Sequence, residues 1–173
     1  MRVPPTVEAD WDERTRTTLD QLGRQNIFTT LAHHPDLLHR WLVFGRHVLA
    51  SSTLPARERE LIILRTGWRC GSEYEFAQHR KLGEAAGLTR PEIDKVASDA
   101  TDWPEHDLVL LRATDQLVAT HTMDDSLWAA LCRDWTLQQV LDIVFAVGQY
   151  TLVSTALNTF QVALDEGLVG FPS

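Results

Sequence analysis

Ser72-Glu-Tyr-Glu75-Phe-Ala-Gln-His79-Arg-Lys-Leu-Gly-Glu-Ala-Ala86-Gly87 reads as an amphipathic helix, with a serine placed to cap its start and a glycine to end it. At about 3.6 residues per turn, Ser72, Glu75, Phe76, Leu82, Gly83 and Ala86 lie within roughly 60° of His79. Glu73, Arg80, Lys81 and Glu84 fall on the opposite side, where solvent is expected. The period is helical, yet two ionisable residues four apart, Glu75 and His79, interrupt the apolar stripe.

Outward from this segment the same period persists. No stretch alternates apolar and polar residues as a half-buried strand would, and proline and glycine punctuate the chain at helical intervals. The expected helices are Asp12 to Leu22, a turn over Ile27 to Ala32, Pro35 to Ala50 and Pro55 to about Arg65. A break at Gly67 to Gly71 precedes the Ser72 helix. Thr89-Arg-Pro-Glu92 has the capping-box pattern and opens a helix to about Ala97. Pro104 to Thr120, Asp125 to Cys132, and Thr136 to about Glu166, bent near Gly148, complete an all-α chain. The two halves share landmarks: an apolar helix reaching a glycine (Gly67, Gly148) and a last helix ending in Gly87-Leu88 or Gly167-Leu168. One domain over 1–173 is expected, with an N-terminal arm at 1–30, a first repeat at 31–100 carrying the site and a degenerate second repeat at 101–168.

Composition agrees. With 173 residues, 44% hydrophobic and 23% charged, the chain buries a core without disulfides or metal. A net charge of -8 and no basic tract disfavour nucleic acid and anionic membranes as partners. Cys70 and Cys132 stand too far apart for a disulfide framework or a metal pair and are expected as free thiols. The N-terminus has no apolar run of the kind that directs export, so a cytoplasmic location is expected. Ile143 to Leu164 carries no charge, but Gln149, Asn158 and Gln161 within it favour a buried or subunit-facing helix over a membrane span.

The preceding helix repeats the anomaly of the first. Glu60 shares its face with Ala56, Ile63, Leu64 and Gly67, while Glu58, Arg59 and Arg65 point elsewhere. Burying a charge is costly unless it is paired, so a cluster of Glu60, Glu75 and His79 is the economical arrangement. Carboxylates beside a buried imidazole strengthen its hold on a proton, and such a cluster can give or take one. A satisfied structural helix pair between Glu75 and His79 is the competing explanation.

Leu54-Pro-Ala-Arg57-Glu-Arg-Glu60-Leu-Ile-Ile-Leu64, Gly67-Trp-Arg-Cys-Gly-Ser-Glu-Tyr74-Glu75-Phe-Ala-Gln-His79 and Ala85-Ala-Gly87-Leu-Thr89 resemble the carboxymuconolactone decarboxylase family, which includes the alkylhydroperoxidase-D-like proteins. The resemblance covers about residues 35 to 98, and the second half by shape. It implies a helix-hairpin repeat fold assembling into homo-oligomers (dimers, trimers or hexamers) with the site near a subunit interface. In the family's peroxidase branch, Cys-x-x-Cys precedes a histidine by four residues, with a glutamate twelve before the first cysteine. Aligned on His79, those positions hold Ser72, Glu75 and Glu60. Both redox cysteines are missing, and Cys70 has no resolving partner in the motif. The Glu-x-x-x-His form resembles the decarboxylase branch.

The resemblance implies a cofactor-independent lyase or isomerase acting on a small oxygenated acid or lactone. His79 is the expected general acid/base, with Glu75 orienting it and Glu60 tuning its proton. Trp68, Tyr74 and Phe76 are the expected substrate contacts, with Trp135 a further candidate for the apolar wall. Arg57 and Arg59 either bind a substrate carboxylate or serve a solvated helix start. Three other readings stand beside this one: a metal site at the two glutamates and His79, thiol redox through Cys70, and a non-catalytic oligomeric binder. No cofactor or metal is expected. His33, His34, His39 and His47 are expected at the surface or facing a partner.

Overall fold

The computed structural model describes residues 1–172. Among them are nine α-helices and no strand. They are α1 (Glu13–Leu22), α2 (Asn26–Leu31), α3 (Pro35–Arg46), α4 (Ala56–Arg69), α5 (Glu73–Ala85), α6 (Arg90–Val96), α7 (Glu105–Thr120), α8 (Asp125–Asp134) and α9 (Leu137–Phe160). A π-helical turn, His47–Ser51, extends α3.

The helix starts follow from local chemistry. Asp12 accepts from the Thr15 amide, and the capping boxes at Thr89–Glu92 and Thr136–Gln139 are both closed, satisfying amides that would otherwise lack partners. Ser72 sits at the N-cap of α5 but makes no capping bond; its buried hydroxyl is unpaired. Gly87, at φ +102°, turns the chain away after α5 as expected.

Two boundaries differ from expectation. Helix α4 runs through Gly67 to Arg69. Gly67 lets α4 and α5 approach: a Cβ there would lie 3.3 Å from the Phe76 amide nitrogen and 3.6 Å from Glu75 Cβ. The glycine reads as a breaker by propensity, but packing decides its conformation. Helix α9 passes unbroken through Gly148 and stops at Phe160, where Gln161 adopts a left-handed conformation at φ +54°. The second half therefore has one 24-residue helix where the first half turns between α4 and α5.

Helix α4 is the spine, packed against α5, α7 and α9. Every residue from Glu60 to Gly67 is buried, so this helix has no polar face at its centre. The main core gathers Leu61 to Leu64 with Phe76, Leu110, Leu131, Ile143 and Val147. Helices α1 to α3 build a smaller core from Trp11, Leu19, Leu38 and Leu42. The arm is tied to the C-terminal segment by the Asn26 amide donating to Asp165 and the Arg2 amide donating to the Phe160 carbonyl. Helix α9 is long and apolar enough to cross a membrane, but half of its most apolar window is buried against the other helices.

Candidate functional site

Three side chains from two helices form one line. Glu60 on α4 and His79 on α5 meet with Glu60 Oε2 at 2.6 Å from His79 Nδ1. Glu75, one turn before His79 on α5, places Oε1 at 3.0 Å from Nε2. All three are at least nine-tenths buried. The other Glu60 oxygen accepts from Arg59 Nε at 3.4 Å. The close approach that Gly67 permits sets α5 against α4 where Glu75 begins its turn.

A carboxylate oxygen at each ring nitrogen is the arrangement that favours a doubly protonated, charged imidazole ring. Burial by itself pushes the His79 pKa down, but the hydrogen bonds and charges of Glu60 and Glu75 outweigh it and raise the pKa to about 9. Neither nitrogen is left to bind a metal, and no group of three or more metal-ligating side chains with suitable geometry occurs among the described residues.

A cavity of about 270 Å³ opens onto this line and is bounded by α2, α3, α5 and α9. His79 and Glu75 line it, together with an apolar wall that includes Phe28, Trp41 and Val153. Because Glu75 covers Nε2, the carboxylate is the group of the pair that meets the cavity with hydrogen-bonding capacity to spare. Tyr74 lines the same cavity, but its hydroxyl is committed: it donates to Asp165 at 2.6 Å and accepts from the Ile27 amide at 3.2 Å. Burial, then Asp165, pushes its pKa up. It thereby locks α2 and the C-terminal segment onto α5.

The remaining expected contacts lie elsewhere. Trp68 is stacked by the Arg65 and Arg69 guanidinium groups, away from the cavity. Phe76 is fully buried in the main core, edge-on to Phe171, and Trp135 packs against His106. Their positions on α4 and α5 follow the helical period, but α3 and α9 supply the wall, and no local pattern in α4 or α5 announces that. Arg57 binds Asp107 and Glu92, so it is a tie between helices. His34 accepts from the Leu37 amide at the start of α3, and His39 faces the Thr18 hydroxyl. Burial pushes the Cys70 thiol pKa up, which opposes thiolate formation. Cys70 does not line the cavity.

Two residues that sequence reasoning passed over face the site. Tyr150 stands edge-on to the His79 ring, with centroids 5.0 Å apart, and lines the cavity beside Gln149. The one trace of them in the sequence is an adjacent amide and phenol within the uncharged part of α9 after Asp142, at positions the helix buries.

Comparison with known proteins bears on the family and the fold. The carboxymuconolactone decarboxylase family matches residues 35–106, the span holding all three members of the line. No curated protein matches the chain in sequence. Among solved structures, the chain is similar to an uncharacterized peroxidase-related protein from Ralstonia eutropha JMP134 with an alkylhydroperoxidase AhpD core. The TM-score is 0.85 at 21% identity, covering 95% of this chain and 92% of that one. It is also similar to the debrominase Bmp8, solved as a cysteine-to-alanine variant with 2,3,4-tribromopyrrole. There the TM-score is 0.77 at 15% identity, covering 96% and 92%. At such identities the shared property is the fold. Residues 35–106 thus match the carboxymuconolactone decarboxylase family in sequence, and the chain as a whole shares the fold of the alkylhydroperoxidase AhpD core.

Proposed function

We propose that this protein is an enzyme that moves a proton on a small oxygenated acid or lactone without a cofactor, in a decarboxylation or a related lyase or isomerase step. The observation that carries this reading is that a buried His79 is bonded by carboxylates at both nitrogens, and one of them, Glu75, also lines a cavity. Glu75 is the catalytic residue that touches substrate. It takes a proton from carbon beside a carbonyl, the electron pair moves to the carbonyl oxygen, and the same proton or one from solvent returns to carbon. In a decarboxylation the carbon–carbon pair moves instead as carbon dioxide leaves, and the line supplies the proton that carbon takes up. His79 is the charged reservoir that compensates each change at Glu75, and Glu60 holds it charged.

The test is carbon-bound hydrogen exchange in deuterium oxide for a panel of small lactones, alongside carbon dioxide release from small β-keto acids. The wild-type protein is expected to accelerate at least one of these, and His79→Gln none. Equal rates for the two proteins across the panel would overturn the reading.

The proposal extends to self-association. Leu141, Phe145 and Leu152 on the outer side of α9 are half or more exposed, and Phe44 of α3 leans edge-on against Phe145. An apolar stripe of this kind suits a second copy of the chain. Sedimentation of the wild-type protein is expected to give an oligomer that Phe145→Asp dissociates; a wild-type monomer at micromolar concentration contradicts it.

A further inference from the structure

The cavity's other polar groups define what it takes, an inference that rests on the acid–base reading above. Gln149 and Tyr150 are about 5% and 7% exposed and line the cavity, yet neither side chain makes a hydrogen bond among the described residues. Neither is among the buried polar groups shut off from solvent without a partner, so both stay reachable from the cavity, where a ligand oxygen can take the place of water. The two neighbours on α9 thus offer an amide and a hydroxyl to the same cavity.

Gly45 on the facing helix α3 keeps the space in front of them open. A Cβ there would sit 3.6 Å from Gln149 Nε2 and 4.0 Å from Trp41 Cε2, ordinary contacts that an alanine fits. Glycine inside a helix is less stable than alanine by about 1 kcal/mol. The chain gives up that stability and keeps the room before the amide.

The chemistry of the donors selects the group they receive. Gln149 is neutral, and burial followed by the Glu75 and Glu60 charges pushes the Tyr150 pKa well above the ordinary phenol value, so the hydroxyl stays a donor. The carboxylate lining the interior is Glu75, while Arg46 is exposed at the lip. A substrate carboxylate drawn inside to Gln149 and Tyr150 loses its hydration, meets the Glu75 carboxylate and finds neutral donors at that wall. A carbonyl oxygen accepts from the same two donors at far lower desolvation cost.

We propose that Gln149 and Tyr150 form the binding site for one neutral carbonyl oxygen, so that the cavity takes small, largely apolar lactones or ketones in preference to the corresponding carboxylates.

Ligand-observed NMR titration of the full chain with dihydrocoumarin and with its ring-opened hydroxy acid, at neutral pH, tests this. The lactone is expected to bind saturably and the acid at least about tenfold more weakly. Gln149→Leu and Tyr150→Phe should each weaken lactone binding roughly tenfold. Gly45→Ala should weaken it too while its thermal midpoint holds or rises, which separates loss of the site from loss of the fold. An acid that binds as tightly as the lactone, no lactone saturation at millimolar concentration, or wild-type affinity in all three variants would overturn the inference. Binding is read without turnover. Unselective binding with His79-dependent exchange therefore sinks this inference alone, and selective binding with His79-independent exchange sinks the acid–base reading alone.

Discussion

Glu75→Gln is expected to lower turnover by about 10²–10⁴-fold, the usual contribution of a positioned acid or base, while the protein stays folded. Glutamine has nearly the volume of glutamate, and its amide oxygen can still accept from His79 Nε2, so the contact that now measures 3.0 Å survives. Glu60 keeps its hydrogen bond to Nδ1 at 2.6 Å and holds the ring charged. What disappears is the one group on the cavity wall that can take a proton from substrate and return it. The measurement is kcat on whichever compound of the panel the wild-type protein turns over, with a thermal melt as the control. A variant with wild-type kcat would show that Glu75 only braces the histidine.

The second large effect concerns stability. Glu60 is 1% exposed, and removing one partner of a buried ion pair leaves the other charge uncompensated. Glu60→Ala is expected to destabilise the protein by about 3–5 kcal/mol and lower its thermal midpoint by roughly 10 °C. The same pair makes stability depend on pH. The folded-state pKa of His79 is raised from 6.5 to about 9, so its stabilising contribution is fully present below about 6.5 and is lost as pH rises through about 9. The span corresponds to about 3 kcal/mol. Denaturation midpoints across this window should fall in the wild-type protein and fall less in Glu60→Ala, where Glu75 alone still pairs with the ring. A wild-type midpoint that rises between neutral pH and pH 9 would contradict the assignment.

The part of the site on α4 and α5 was legible because its anomaly is periodic. Glu60, Glu75 and His79 each break an apolar stripe, and two adjacent helices that each bury ionisable groups have few ways to satisfy them except together. The far wall was not legible in the same way. Gln149 and Tyr150 sit in α9, where apolar residues surround the helix on nearly every side, so no face stands out and a polar residue marks no stripe. Trp68 and Phe76 erred in the opposite direction. Proximity to His79 in the chain made them candidates, but Trp68 points to the arginine side of α4 and Phe76 into the core, because neighbours in sequence on a helix diverge in space.

Boundaries followed the same division. Caps with a side-chain mechanism, such as Thr89–Glu92, lie where the residues indicate. Gly67 continues its helix because α5 presses against it, and Gln161 ends α9 without a glycine to announce it. Each of these outcomes depends on partners far along the chain, which local propensity does not contain.

The central claim is that His79 is a buried imidazolium held between two carboxylates. Nitrogen-15 NMR of the histidine ring, recorded against pH on the intact protein, reads this directly. The prediction is that both His79 ring nitrogens are protonated at neutral pH and release a proton only near pH 9, and that Glu60→Gln lowers that midpoint. A His79 ring that is a neutral single tautomer at pH 7, or one that titrates near 6.5, would contradict it.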